Sequence, residues 1–560
     1  MRLKTNKGLR IGAVLFAQGV LIYGHFLGHN IITIGAFIGS LLVFLILSHR
    51  SVHLTKEEKT EKVKAKLNQK NADRKSGKWV TFKERGDKFV DLSHPFSNDL
   101  NLFGEDSLFQ YLSDANTEYG KEILKQLFIT NKRDENSVLR RQEAIKEVSE
   151  NRDFCQTLKI TGMLSKNISS DPGEMVRFFE SKESLFKKVS TSIGIRLLPV
   201  FIAIFMILNF NAGWNNALVI FTGLAIIVQV MVFVSCTTKT EKVLKELSKF
   251  GQSLDDFGEM VDLIKDTPFR AELNQIWQRK LPKKWSLKKM TWALSIRNVT
   301  LLDLLLNVLF LWDIQCVCAL EKMRKKEAKN MGDWLECIGY FEAMASVANL
   351  SNLNPEWATP KFHQELIIHT EGLGHPLIEE VDRVTNDFEL KGIAIISGSN
   401  MSGKTTFLRT IGINLVLAYM GAPVCATKFS APVVDLWTCM KPPDNLKQNI
   451  STFYAELLRI KEIIESEKSM LFLIDEIFAG TNSEDRIEGA KEVLLNLSKK
   501  QNLGLVTTHD LEVCKRTGFE NYHFNESYMG EGIHFDYKIK PGISTTRNAR
   551  HLMRMVGIYP

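Results

Sequence analysis

Two stretches of this chain, Ile11–Ser48 and Leu197–Thr238, contain no Asp, Glu, Lys or Arg. The first divides at Gly28-His29-Asn30 and the second within the Asn-rich run Asn209–Asn216. A spanning helix needs about 20 apolar residues, so each stretch predicts a hairpin of two spans, four spans in all. Over residues 51–90, Lys and Glu dominate and large apolar residues are few, which predicts a solvated helix or linker. Helical periodicity of apolar positions follows over 91–190, as at Leu108, Leu112, Ile123, Leu124 and Leu127. It returns over 239–350, where Leu301–Leu311 forms a long apolar face. Pro355 and Pro360 punctuate the chain, and from about Ile367 the texture changes. Short β-rich runs at Gly392–Ser397, Met470–Ile474 and Leu503–Thr507 alternate with helical segments, the pattern of an α/β domain with a mainly parallel sheet.

The expected order is a transmembrane hairpin over 1–50, a charged linker over 51–90 and an all-α helical core over 91–190. A second transmembrane hairpin over 191–238 interrupts that core, which resumes over 239–366 and leads into an α/β domain over 367–560. Arg2, Lys4, Lys7 and Arg10 precede the first hairpin, and Arg50 and Lys56 follow it. Lys187, Lys188 and Arg196 precede the second, and Lys239 and Lys242 follow it, while the short inner turns hold no Lys or Arg. Both hairpins therefore predict one orientation, with every hydrophilic segment cytoplasmic. The expectation is an integral protein of a bacterial-type inner or plasma membrane. Competing readings are a signal sequence at Ile11–Leu27, which the second apolar run argues against, and a buried helical hairpin at 197–238.

Composition narrows the rest. The 560 residues include 72 Lys and Arg against 64 Asp and Glu, a net charge of +8 that permits an anionic partner without demanding one. Eight cysteines are scattered with no CxxC, which argues against a disulfide scaffold or a zinc ribbon. His363, His369 and His375 fall six residues apart and share no helix face, so no metal site is expected there. The Lys-rich 51–90 segment reads as a solvated face, with DNA or anionic lipid as the alternatives.

Chemistry concentrates near the C-terminus. Gly398-Ser399-Asn400-Met401-Ser402-Gly403-Lys404-Thr405 matches GxxxxGK[ST] between a strand-like run and a helix-like run, Thr405–Tyr419. Glycines let backbone N–H groups close around phosphate oxygens, and the helix N-terminus adds positive potential. Lys404 is expected on the β- and γ-phosphates and Thr405 on Mg²⁺. A buried apolar strand, Met470–Ile474, ends in Asp475-Glu476, 71 residues after Lys404. Asp475 is expected in the Mg²⁺ shell and Glu476 as the group that orients and activates water. Thr508-His509-Asp510 closes another strand, where open α/β sheets bind ligands, and His509 is expected to sense the γ-phosphate.

Together these motifs resemble the ATPase domain of the MutS mismatch-recognition family, itself related to ABC ATPases. Gly398–Thr406 is similar to GPNMxGKST, with Ser399 in place of Pro. Asp444–Glu456 resembles DDLxxGxSTFxxE, with Asn449 in place of Gly. Asp475–Ser483 resembles DEIGRGTST, Thr508–Asp510 resembles the THY/THF motif, and Tyr537–Pro560 resembles the closing YxxxxG…AGVP stretch. Gly374-His375-Pro376 resembles the turn that opens the domain, and weaker likeness at 107–145 extends to the helical core. The resemblance implies an ABC/MutS-like P-loop ATPase domain on an all-α core, using ATP and Mg²⁺, and a homodimer formed through that domain. It implies that Ser451 contacts the γ-phosphate held by the other subunit. The adenine-stacking aromatic falls near Arg383 or Val384, neither aromatic, which leaves Arg383, Val384 and Tyr537 as candidate base contacts. DNA binding related to mismatch repair or DNA-structure processing is implied too. An apolar hairpin and linker stand where the family's N-terminal mismatch-binding domain is expected, and the family's C-terminal helical tail has no counterpart before Pro560.

The expected function is a membrane-anchored, ATP-hydrolysing MutS-like protein with ATP-driven dimer closure and with DNA and membrane lipid as partners. The alternatives are an ATP-gated membrane interaction module and an ABC-type transport component that does not bind DNA. Against transport, the four spans carry no ionisable Asp, Glu, Lys or Arg, and no LSGGQ-type signature occurs.

Overall fold

A computed structural model describes residues 8–9, 12, 15–16, 18–20, 31–130, 134–165, 172–181, 189–211, 216–282, 300–399, 401–440, 452–478, 483–529 and 532–544. The chain divides into two compact units, residues 1–72 and 73–560. Most of the described part of the first unit is helix α1, Ile31–Lys75, whose last residues belong to the second. Its 45 residues correspond to about 68 Å at 1.5 Å per residue. The sequence passes from apolar to Lys/Glu-rich near Arg50 without breaking the helix, because Lys and Glu are good helix formers. The charged region is thus helix as far as Lys75, and 3₁₀ turns follow at Lys78–Thr81 and Asp87–Phe89.

In the second unit, helix begins at Leu108 rather than at residue 91. Residues 91–106 form turns, as their density of Asp, Asn, Ser and Pro dictates. This segment straps onto the α/β part of the unit. Asp99 Oδ2 accepts from the Thr438 hydroxyl at 2.7 Å and from the Met440 N–H at 3.0 Å. Arg409 donates to the Asp99 carbonyl at 3.0 Å, and the Thr438 N–H donates to the Pro95 carbonyl at 2.9 Å.

The helices that follow are α2 Leu108–Leu112, α3 Glu118–Ile129, α4 Glu135–Glu150, α5 Arg152–Leu164 and α6 Pro172–Glu180. Then come α7 Val189–Asn211, α8 Asn216–Asp266, α9 Glu272–Arg279, α10 Thr300–Phe310, α11 Trp312–Glu327 and α12 Met331–Leu353. Ser107, Thr117, Asp134 and Asn151 cap four of them by accepting from backbone N–H groups of the first turn, each worth roughly 1 kcal/mol. Helix α12 is buried along nearly its whole length and packs against α3 and α4. A Cβ at Gly339 would sit 2.7 Å from the Tyr119 carbonyl carbon, so only glycine permits the approach of α12 to α3. Beside it the Glu342 carboxylate accepts from the N–H groups of Asn116 and Thr117 at 3.1 and 3.0 Å. Burial raises its pKa against those hydrogen bonds. A second buried cluster joins Arg74 and Lys159 to Asp114 at 2.6 and 2.8 Å.

Helices α7 and α8 pack together as a hairpin, with Asn209 Nδ2 donating to the Thr222 hydroxyl at 2.8 Å. Helix α8 runs for 51 residues from the uncharged stretch into the core without a break. Its later residues, such as Leu244, Leu254, Phe257 and Val261, are buried, whereas Ile220, Phe221, Met231 and Val234 are exposed. Asn216–Phe250 is the one helix among the described residues long and apolar enough to cross a membrane, and 6% of its most apolar window is buried. Gly194–Asn209 is a shorter apolar stretch. For the first uncharged stretch, most positions before Ile31 lie outside the described residues.

The remaining chain forms two sheets. Strands β6 Asp435–Cys439, β7 Met470–Ile474, β8 Leu503–Thr508, β4 Ile393–Ser397 and β9 Glu520–Met529 pair in parallel, and β10 Gly532–Pro541 adds an antiparallel edge. The central strands are apolar at consecutive positions because both faces are covered. Ala394, Ile396, Leu471, Leu473, Leu503 and Leu505 join the large core shared with the helical part. Ile393, Ile395, Met470, Phe472, Ile474 and Val506 face the other core, which α14 Thr452–Glu465, α15 Ser483–Ser498 and α16 Leu511–Thr517 enclose. A second, mostly antiparallel sheet was not expected: β1 Lys361–Phe362, β5 Lys428–Ala431, β2 Ile367–Leu373 and β3 Asn386–Lys391, in that order.

Candidate functional site

Strand β4 ends at Ser397, and residues 398–403 turn the chain into helix α13, Lys404–Met420. Gly403 has φ +103°, and a Cβ there would come within 3.1 Å of the Tyr537 ring, so the loop needs glycine at this point. Lys404 is 5% exposed, and its ammonium donates to the Gly398 and Ser399 carbonyls at 2.9 and 2.8 Å. Burial lowers its pKa, while Glu476, Asp475 and Glu526 act in the opposite direction. The Ser402 hydroxyl is buried and has no hydrogen-bond partner among the described residues. Met401 is exposed, and Asn400 lies outside the described residues.

Strands β7 and β8 bring the acids to the same edge of the sheet. Asp475 accepts from the Thr405 hydroxyl at 2.6 Å and from the Thr507 hydroxyl at 2.5 Å, so both carboxylate oxygens are held. Glu476 adopts φ +55°, a strained conformation for a non-glycine residue, and its N–H donates to the Thr507 hydroxyl at 3.0 Å. Its Oε1 lies 3.6 Å from His509 Nδ1, an ion-pair separation rather than a full hydrogen bond. The neighbouring imidazole holds the Glu476 carboxyl below the usual carboxylate range, outweighing partial burial. Asp510 caps α16 and pairs with Arg486 at 2.8 Å, so the residue after His509 is fixed.

A cavity of about 710 Å³ opens over these groups, within the range of ligand pockets. Lys404, Thr405, Thr406, Asp475 and Glu476 line it, and Leu373, Ile378, Val384 and Tyr537 add apolar wall. Of the three candidate base contacts, Val384 and Tyr537 line the cavity and Arg383 does not. The Arg383 guanidinium donates to the Ile378 carbonyl at 3.0 and 2.6 Å and lies 5.7 Å from the Trp357 ring centroid. Its charge is engaged by a carbonyl and an indole behind the wall. Ser451 lies outside the described residues.

Two positioning groups, Asn386 and Thr507, were not among the expected site residues, and Ser399, expected in the glycine loop, has an unforeseen partner. Ser399 donates to Glu526 Oε2 at 2.5 Å, so the serine in place of proline has a partner on β9. Asn386 on β3 donates to the Tyr537 carbonyl at 3.1 Å and accepts from the Ile539 N–H at 2.9 Å, pinning the irregularity of β10 beside the cavity. Thr507 ties Asp475 to Glu476. Of Asn386 and Thr507, only Thr507 carried a signal, as part of the polar cluster at the end of β8.

The arrangement suits a polyphosphate and a divalent cation. A buried ammonium, an unpartnered hydroxyl and a helix N-terminus converge where anionic oxygens are best placed. Thr405 and Asp475 offer oxygen ligands of the kind Mg²⁺ takes, with substrate phosphates completing the shell. Among the described residues no cluster of three or more His, Cys, Asp or Glu is placed to hold a metal by itself.

A parallel sheet carrying a glycine loop, a paired Thr and Asp, and a neighbouring Glu and His at one edge defines a site for a charged, phosphate-bearing ligand. Among known proteins, residues 394–558 match the model of MutS domain V. The chain is 34% identical over 231 residues to the DNA mismatch repair protein MutS of Aquifex pyrophilus, covering 39% of this chain and 27% of that protein. It is 26% identical over 303 residues to the DNA mismatch repair protein MutS of Caldicellulosiruptor saccharolyticus, 50% of this chain and 35% of that protein. It is 30% identical over 232 residues to MutS protein homolog 4 of Mus musculus, 38% of this chain and 24% of that protein. These matches show a likeness to MutS proteins over part of the chain. The chain spans about a quarter to a third of the length of these relatives.

Proposed function

We propose that this protein is a membrane-anchored, Mg²⁺-dependent ATPase of the MutS type. The observation that carries the catalytic part is the linked set Thr405–Asp475–Thr507–Glu476, of which Thr405, Asp475 and Glu476 line one cavity with Lys404. When bound, ATP would supply the phosphoanhydride to be cleaved and Mg²⁺ would supply charge neutralisation of its phosphates. Lys404 is already desolvated at the loop, so its charge acts through a low-dielectric path. Thr405 and Asp475, linked at 2.6 Å, are the residues that would hold the cation. Glu476 Oε2 takes the proton of the attacking water, with His509 holding the other oxygen of that carboxylate. Val384 and Tyr537, which line the cavity, would contact the base, and Arg383 holds the Ile378 carbonyl of the wall. Ser451 of a second subunit completes the γ-phosphate contacts when ATP closes a homodimer.

The membrane part rests on the exposed apolar surface of α7 and α8. Burying exposed side chains such as Ile220, Phe221, Met231 and Val234 in hydrocarbon yields roughly 1.5–3 kcal/mol each. Both uncharged stretches form hairpins in this reading, giving four spans with the hydrophilic segments cytoplasmic. DNA is the expected macromolecular partner, bound through backbone contacts of the helical core in a role related to mismatch repair or DNA-structure processing. The test of the reading is phosphate release by the detergent-purified full chain, with and without Mg²⁺, for the wild type and Lys404→Ala. Mg²⁺-dependent turnover that Lys404→Ala removes is expected, and turnover indifferent to either change would overturn it.

A further inference from the structure

The apolar surface does not end with α7 and α8. Helix α10 exposes Leu304, Val308, Leu309 and Phe310, four large apolar side chains in 11 residues. It lies against the hairpin: Gln229 of α8, itself buried, donates through Nε2 to the Val308 and Leu309 carbonyls at 2.5 and 3.1 Å. Those carbonyls belong to the last turn of α10, where helices leave acceptors without intrahelical partners. The chain then turns at Leu311, which is fully buried with φ +52°, and returns as α11. Leu311, Ile314 and Cys318 pack against Ile195, Leu198, Val232, Phe233 and Cys236 of the hairpin.

Position along α8 gives the depth. Gln229 lies nine residues before Thr238, the last residue of the uncharged stretch. At 1.5 Å per residue that is about 14 Å, close to half of a hydrocarbon core of about 30 Å. A turn at that depth is tolerated only where protein surrounds it and satisfies its backbone. Both conditions hold. The Leu311 N–H donates to the Asn307 carbonyl at 3.0 Å, and the Asp313 N–H donates to Asn307 Oδ1 at 2.9 Å. Asn307 and Asp313 are buried against protein, while the exposed side chains of the last turn of α10 are all apolar.

We infer that residues 300–318 form a re-entrant helix-turn-helix that enters the bilayer from the side of the hydrophilic domains and ends at mid-depth, with acyl chains against Leu304, Val308, Leu309 and Phe310. This rests on the membrane reading of α7 and α8 and extends the lipid-facing surface to a third helix. Gln229, the one Gln in the uncharged stretch Leu197–Thr238, satisfies the helix end.

The test uses the full chain reconstituted in phosphatidylcholine–phosphatidylglycerol vesicles with acyl chains brominated or not. A fluorescent amino acid replaces Leu309, Ile227 or Lys461, one at a time. Leu309 and Ile227 are 52% and 51% exposed, so neither replacement removes much packing, and Lys461 lies on the exposed face of α14. The inference predicts loss of fluorescence in brominated lipid at Leu309 as large as at Ile227, and none at Lys461. Loss at Ile227 without loss at Leu309 would overturn the re-entrant segment and leave the hairpin intact. No loss at either position would overturn the membrane reading and this inference with it.

Discussion

The α/β part and the helical hairpin of this chain invert the ordinary distribution of residues in opposite ways. At the glycine loop a lysine is 5% exposed and two carboxylates face a cavity, so charge is held inside. Along α8 an 18-residue apolar window is 6% buried, so hydrocarbon is held outside. Buried charge is costly unless it has a partner, and a large exposed apolar surface marks contact with something other than water. The first inversion points to an anionic ligand and the second to lipid. Single residues distributed along the sequence produce the first, whereas the second needs only an unbroken run without charge.

Breaking the charged side gives the largest effects. Glu476→Gln retains the shape of the cavity but loses the proton acceptor, so hydrolysis should fall about 10²–10⁴-fold, with ATP still bound. Single-turnover and equilibrium binding measurements separate the two, and near-normal turnover would assign the water to another group. Lys404→Ala removes a buried point charge, and ATP affinity should drop about 100-fold, or roughly 3 kcal/mol. Isothermal titration checks this directly. On the apolar side, Ile227→Lys places a charge near the middle of the span, at a cost of about 2.5–3.5 kcal/mol. Less of that variant should be recovered in carbonate-washed membranes, and equal recovery would argue for a protein partner on this face.

Smaller effects sharpen the contrast. If DNA is held only by backbone contacts of the helical core, a single mismatch should change affinity by no more than about threefold, or roughly 0.7 kcal/mol. Competition at fixed salt between matched and mismatched duplexes measures it, and a tenfold preference would require a recognition element elsewhere. The smallest effect concerns pH. His509 depresses the Glu476 pKa below 4.5, so the carboxylate contributes stability that is present above about pH 4.5 and lost as pH falls through the lower folded value. The stability difference between wild type and Glu476→Gln should therefore shrink on acidification below that point, as denaturant titrations at several pH values would show.

The sequence made the glycine loop and the Asp475-Glu476 pair legible because each is contiguous and each follows an apolar strand buried on both faces. The same logic made the uncharged runs visible. What stayed hidden depended on distance or on mixed patterns. Strand β3 reads Asn-Asp-Phe-Glu-Leu-Lys, and only alternate residues point inward, so its charged outer face masked it and the second sheet with it. Asn386 and Tyr537 stand 151 positions apart, and nothing local joins them. Arg383 was a candidate beside the base on position alone, and the fold turns its guanidinium to Ile378 and Trp357. The apolar face at Leu301–Leu311 was visible as periodicity, but periodicity does not say whether protein or lipid covers it. The structure adds that Leu304, Val308, Leu309 and Phe310 are exposed, which is where the inference of a lipid contact starts.

Co-flotation of activity with vesicles joins both halves of the comparison. The full chain is reconstituted, floated on a density gradient, and each fraction assayed for Mg²⁺-dependent ATP hydrolysis with wild type and Lys404→Ala side by side. The account predicts that turnover floats with the lipid and that Lys404→Ala floats equally well without turnover. Turnover remaining in the dense fractions, or undiminished in floating Lys404→Ala, would contradict it.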